Sequence, residues 1–199
     1  MAPVKVDVRV LRVLLWAALS ILGLGLWAFV VRGADEPADP YLLDEGALPP
    51  GIEAPGDPAR EILDGFDEIA ITVRPADGSA LLAWCLLAAL QAEQRARGLM
   101  EVTDLKGYPG MLFLYDTDVQ SAFWMRNTPM PLSIAWFDAD GNLVSTSDMA
   151  PCDDRDDCPI YGSAGPYRSA IEVPQGELAG LGIGAGATIS IGGTCAPRA

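Results

Sequence analysis

The sequence predicts an α+β, mostly β domain: a small, strongly bent sheet or barrel of about seven or eight strands with one or two short helices. A single transmembrane helix precedes it. Three observations carry this reading. Short alternating or apolar runs recur between turn residues over the C-terminal two-thirds of the chain. The stretch Phe123–Gly141, FWMRNTPMPLSIAWFDADG, sets two aromatic-rich strand candidates around a stiff joint. Residues 13–31, VLLWAALSILGLGLWAFVV, carry no charge.

That N-terminal run spans about 28 Å as a helix, close to the ~30 Å hydrocarbon core of a bilayer. Trp16 and Trp27 fall near its two ends, where indole rings favour the interface. Lys5, Arg9 and Arg12 precede it, while Arg32 is followed at once by acids, so residues 1–12 are expected in the cytoplasm and the remainder outside. A cleaved signal peptide is the competing reading. The apolar run is long for one, and no small-x-small site follows it, which favours an uncleaved anchor in the cell membrane.

Residues 32–68 form an acidic, Pro-punctuated linker. Prolines recur at 37, 40, 49, 50, 55 and 58, and Arg60 is the lone base between Gly33 and Glu68. Such a segment buries too little apolar surface to offset the entropy of ordering, so a solvated spacer is expected, with a short helix near 59–66.

Within the domain at 69–199, Ile69–Arg74 reads as a strand before a Pro-Ala-Asp-Gly turn. Ala80–Leu90 suits a buried strand, and Gln91–Arg97 a short helix stopped by Gly98 in left-handed geometry. Strands follow at Met111–Tyr115, Ala122–Arg126, Leu132–Asp138 and Leu143–Ser147, the last two joined through Asp140-Gly141. Tyr167–Val173 and Ala187–Ile191 complete the set, with a short helix or turn near 177–181. Pro129 and Pro131 hold Thr128 and Met130 extended, because a proline ring clashes with a helical residue before it.

Charge and composition exclude several functions. The net charge of −14 repels phosphate backbones, so nucleic acid is not an expected partner. The chain has no histidine, the commonest general base and metal ligand, and no Gly-x-Ser-x-Gly elbow, which excludes a serine hydrolase triad. Four cysteines outside the cytoplasm point to disulfides. They allow three pairings. Cys152 and Cys158 bracket a short loop that closes without strain, leaving Cys85 for Cys195. On the chain-entropy model these bonds contribute about 2–2.5 and about 5 kcal/mol. Asp138-Ala-Asp-Gly lacks the EF-hand glycine and glutamate spacing and reads as a turn. Met100, Met111, Met125, Met130 and Met149 suit irregular core packing better than copper. No metal or cofactor is expected.

The site candidates are Trp124, Arg126 and Asn127. Alternation places Trp124 and Arg126 on one strand face, where a guanidinium can stack on the indole and meet a carboxylate or sugar. Alternatively, Arg126 pairs with a buried carboxylate such as Glu172. A carboxylate pair among Asp116, Asp118, Asp138, Asp140 and Glu172 would be needed for glycoside hydrolysis.

Arg97-Gly-Leu-Met100, Gly110-Met-Leu-Phe113, Phe123-Trp-Met-Arg-Asn-Thr128, the Pro131-Leu132 to Asp140-Gly141 hairpin, Met149-Ala-Pro151 and Ile171-Glu-Val-Pro-x-Gly176 occur in this order. Together they resemble the uncharacterised domain-of-unknown-function family 192, also catalogued as uncharacterised protein family 0127, over roughly residues 80–192. The resemblance implies a compact, mostly β domain without an assigned activity, and marks Arg97, Gly98, Met100, Trp124, Arg126, Asn127 and Glu172 as signature positions. The signature usually carries lysine where this chain has Arg126, which changes the geometry of the charge. The helix before Arg97 lacks the usual Ser or Thr cap. The expected function is a membrane-anchored, monomeric extracytoplasmic domain that binds an envelope ligand or protein without catalysis, through Arg97, Trp124, Arg126, Asn127 and Glu172. A hydrolase of envelope glycans and a structural partner of another membrane protein are the alternatives.

Overall fold

A computed structural model describes Ala54 and residues 56–199. The apolar span at 13–31 and most of the acidic linker lie outside the described residues. Among those described, no helix is long and apolar enough to cross a membrane.

The domain is mostly β. Strands β1 (Asp67–Arg74), β2 (Leu82–Ala89), β3 (Met111–Val119), β5 (Leu132–Phe137), β6 (Leu143–Met149), β8 (Tyr167–Pro174) and β9 (Thr188–Ile191) form one sheet in the order β6-β5-β8-β3-β2-β1-β9. Strands β4 (Phe123–Trp124) and β7 (Ile160–Tyr161) form a separate two-stranded ribbon. Every pairing is antiparallel except β2 with β3, whose crossover carries helix α1 (Ala92–Arg97). A 3₁₀ turn covers Ala179–Leu181.

The sheet bends strongly but is not a closed barrel. Its two edge strands meet at one corner, where Ile189 N donates to Gly141 O (2.8 Å) and Leu143 N to Ala187 O (3.3 Å). No ladder joins β6 to β9 among the described residues. Gly141 makes the corner possible. It has φ +78, and a Cβ there would lie 2.0 Å from Ile189 O.

Both faces of the central strands are covered. In β5 all six residues are buried, with Leu132, Ile134 and Trp136 in one apolar cluster and Ala135 and Phe137 in the other. The first cluster also holds Met111, Phe113, Met125, Tyr167 and Ala170; the second holds Ile71, Leu86, Leu112, Ile171 and Val173. Period-two alternation sorts the side chains between them.

Three expectations are corrected by these elements. The expected strand at Ala122–Arg126 shrinks to two residues, because Arg126 and Thr128 bridge instead to Cys152. The expected helix near 59–66 is absent: turns replace it, with Arg60 N donating to Asp57 O and Phe66 N to Leu63 O. Nor is the end of the linker a solvated spacer. Arg60 is buried, and its guanidinium reaches Glu68 through Nε (3.0 Å) and Ala196 O through Nη2.

Disulfides join Cys85 to Cys195 and Cys152 to Cys158. The first ties β2 to the chain's end; the second closes the loop before β7.

Candidate functional site

Helix α1 begins without a hydroxyl cap, as its sequence implies. Gln94 replaces it: its Oε1 accepts the backbone N–H groups of Leu90 (2.7 Å) and Gln91 (2.8 Å). The helix stops at Gly98, with φ 48 and ψ −137. This positive φ is not the left-handed helical geometry expected from sequence; it is a more extended conformation open to glycine alone. A Cβ at Gly98 would sit 3.3 Å from the Phe113 ring. The turn therefore lies directly on the aromatic face of β3, and Leu99 and Met100 follow it down.

Between this turn, β3, β4 and β8 lies a cavity of about 180 Å³. Phe113, Tyr115, Phe123 and Trp124 supply aromatic walls, Met100 and Met125 thioethers, and Glu172 a carboxyl. Phe113 and Phe123 meet edge to face at 5.1 Å, which fixes the ring positions. Trp124 is half exposed at the rim.

Glu172 occupies an apolar position of a central strand. Its cross-strand neighbours are Met111 of β3 and Ile134 of β5, and its residue exposure is 4%. Among the described residues its carboxyl has no hydrogen-bond or ion-pair partner. Burial, unopposed, pushes its pKa up to about 8. Gly110 crosses behind it so closely that a Cβ would lie 2.3 Å from Glu172 O.

The two arginines of α1 that line the cavity are engaged elsewhere. Arg95 Nη1 donates to Leu114 O (2.9 Å) and to Leu90 O, and its guanidinium lies 4.8 Å from the Tyr115 ring centre. Arg97 Nη1 donates to Asp64 O (2.7 Å) and stacks over Phe66 at 4.7 Å.

Of the residues singled out from sequence, Arg97, Trp124 and Glu172 line the cavity; Arg126 and Asn127 do not. Arg126 does not pair with Glu172. It reaches Asp154 (2.6 Å) and Asp156 (2.7 Å) in the Cys152–Cys158 loop, which raise its pKa, and stands 5.6 Å from the Trp124 ring. Asn127, at φ 54, donates from Nδ2 to Glu101 Oε1 (3.0 Å) and bonds through its backbone to Glu101 and Asp153. Both residues brace the rim rather than line the cavity.

Sequence reasoning missed Arg95, Phe113, Tyr115 and Phe123 as lining residues. The alternation of Phe113 with Tyr115 along β3 was a usable signal for one shared face. The closeness of α1 to that face was not, since only the glycine-specific turn at Gly98 creates it.

One cluster has a metal-like composition: Glu68, Cys85 and Cys195 bring ligand atoms within 4.8 Å. The two cysteines are bonded to each other, and Glu68 already accepts from Arg60, Tyr108 and Arg198. It is a structural knot. The carboxylate of Asp138 is likewise used by its own turn, accepting from Asp140 N and Asn142 N.

Two solved structures share this architecture. A protein of unknown function from Novosphingobium aromaticivorans DSM 12444 is 28% identical, with a TM-score of 0.55 over 66% of this chain and 90% of its own. A protein from Sinorhizobium meliloti 1021, provisionally described as a transcription regulator, is 23% identical, with a TM-score of 0.54 over 63% of this chain and 95% of its own, and shows likeness of fold alone. No curated protein matches the chain. The sequence profile of domain-of-unknown-function family 192, described as "Uncharacterized ACR", matches residues 74–191. Over that range, more than half of its length, the chain belongs to this family.

Proposed function

We propose that this protein is a membrane-anchored, extracytoplasmic binding module that takes a small ligand into the cavity beside Glu172 without transforming it. The buried, unpartnered Glu172 carboxyl is the observation that carries the reading. An uncompensated polar group in a core strand destabilises the fold, and such departures from good packing concentrate where function requires them. The aromatic walls with a few polar groups, Glu172 among them, have the usual make-up of a small-molecule site. Arg97 and Trp124 stand at its rim, while Arg126 and Asn127 hold the rim to the Cys152–Cys158 loop.

Binding is favoured over glycoside hydrolysis because that chemistry wants two carboxyls facing one bond. Glu172 is the lone carboxylate lining the cavity among the described residues. The anchor rests on the length, apolarity and flanking charges of residues 13–31. The disulfides accord with an oxidising compartment outside the cytoplasm. A further role in docking to another envelope protein draws support from Ile160 and Trp124, which are paired across the β4–β7 ribbon and both exposed.

Thermal unfolding of the detergent-solubilised full chain against small amines, carboxylates, sugars and alcohols tests the proposal. A ligand should raise Tm in the wild type and in Arg126→Ala, but not in Ala122→Trp, whose indole would fill the cavity mouth. A ligand that stabilises wild type and Ala122→Trp equally would place binding elsewhere and sink the proposal.

A further inference from the structure

We infer that the ligand class of this cavity is a primary alkylammonium ion, its cationic head on Glu172 and its chain against the aromatic walls. The inference rests on the binding reading above and names what is bound.

Glu172 is fixed on a central strand between Met111 and Ile134 and lines the cavity, so a partner for its carboxyl must enter through that cavity. A carboxyl so placed is best satisfied by a partner that brings both positive charge and hydrogen-bond donors. The protein does not provide that partner. Besides Glu172, the charged or titratable groups that line the cavity are Arg95 and Arg97 of α1 and Tyr115 of β3; Glu93 of α1, Asp116 and Asp118 of β3, and Tyr167 and Arg168 of β8 do not line it. Arg95 is held on Leu90 O, Leu114 O and the Tyr115 ring, and Arg97 on Asp64 O and the Phe66 ring. Neither guanidinium offsets the burial of Glu172.

The walls point to the same class. Phe113 and Phe123 offer aromatic surface that attracts cations and apolar chains alike, Tyr115 and Trp124 already standing beside Arg95 and Arg126, and the thioethers of Met100 and Met125 are soft and adaptable. A carboxylate ligand would be accepted only by the protonated acid, so its affinity would fall rather than rise as pH passes 8. A polyol would leave most of its hydroxyls facing rings. The volume of about 180 Å³ is close to the ~150 Å³ cavity known to accept benzene, so a short alkyl chain with one ammonium head fits.

Capture of an ammonium ion requires Glu172 ionised, so the acid's proton leaves as the amine binds. The carboxyl becomes carboxylate, the ammonium keeps its own protons, and the released proton goes to buffer. The affinity for n-butylammonium should therefore rise nearly tenfold between pH 6 and pH 7 and level off above pH 8, where the amine is still protonated.

Isothermal titration calorimetry of the detergent-solubilised full chain with n-butylammonium, 1-butanol and butyrate tests this. Repeating the titration in two buffers of different ionisation enthalpy counts the protons. The expected result is binding of n-butylammonium alone, with close to one proton released at pH 6.5, and at least a tenfold loss of affinity in Glu172→Gln. That variant removes an uncompensated acid, so it should fold at least as well as wild type, and its Tm checks this directly. If 1-butanol binds as tightly as the amine, or Glu172→Gln binds the amine unchanged, the cation assignment is overturned. Binding of butyrate that Ala122→Trp abolishes would also overturn it, while leaving the ligand-binding reading intact. Absence of binding by all three probes would overturn the cation assignment, and absence of any Tm shift across the wider panel would overturn the ligand-binding reading as well.

Discussion

Glu172 and Glu68 are two acids whose burial has opposite consequences for pH dependence. At Glu68, burial favours the neutral form. Hydrogen bonds from the Tyr108 hydroxyl and the Arg60 guanidinium more than offset it, so the pKa lies below its ordinary value. Its contribution is present above the unfolded pKa of 4.5 and is lost as pH falls through the folded value. At Glu172 burial is unopposed and the folded pKa is about 8, above 4.5 in the unfolded chain. Below pH 4.5 both states bind the proton and nothing is lost. Between 4.5 and about 8 the unfolded state ionises first, so stability declines with rising pH; above 8 the loss is complete, on the order of 5 kcal/mol. Urea unfolding should therefore show stability decreasing from pH 5 to pH 8, and Glu172→Gln should flatten that decline and be the more stable protein at pH 8. A wild-type curve that is flat over this range would show that Glu172 finds a partner in solution.

The elements that frame the cavity differ in how plainly the sequence announced them. β5 and β8 read as strands from their apolar runs, and the Asp140-Gly141 step marked the β5–β6 hairpin. β7 was invisible: Ile160-Tyr161 is too short to show a period, and it pairs with β4 because the Cys152–Cys158 loop delivers it there. The same loop supplies Asp154 and Asp156 to Arg126, which is why the arginine does not reach Glu172. No local pattern encodes a partner so far along the chain. Gly141 was legible as a turn residue but not as a corner. Its lack of a Cβ lets the β5–β6 hairpin press on the Ile189 carbonyl and bring the two sheet edges together. Gly141→Ala combines a positive-φ penalty with a clash against backbone that cannot rotate away. It should cost about 2–4 kcal/mol by urea unfolding, whereas Gly162→Ala, which meets nothing within 4 Å, should be nearly neutral.

At the scale of the molecule, the domain begins earlier than composition suggests. The acids and prolines before Ile69 read as solvated linker, and composition is a fair guide to what a segment can bury only when its few apolar and basic residues stay at the surface. Here they do not. Phe66 is buried in the same apolar cluster as Phe113, and Arg97 stacks on its ring, linking this arm to the helix that lines the cavity. Arg60 joins Glu68 and Ala196, Arg198 meets Glu68 at 3.0 Å, and Ala199 N donates to Pro58 O, so the arm and the C-terminus are latched to each other. The Cys85–Cys195 bond fixes that C-terminus to β2 across a separation of 110 residues. Arg60→Met should destabilise by about 3 kcal/mol, because it leaves Glu68 part-buried with its inner cation gone. A soluble domain cut at residue 69, the boundary that composition indicates, lacks the arm altogether. It should melt well below one cut at residue 54, and exchange the amides of α1 and the Gly98 turn faster, since Arg97 loses both Asp64 and Phe66. Equal melting temperatures and equal exchange for the two would mean that the arm only rests on the domain, and that composition had drawn the boundary correctly.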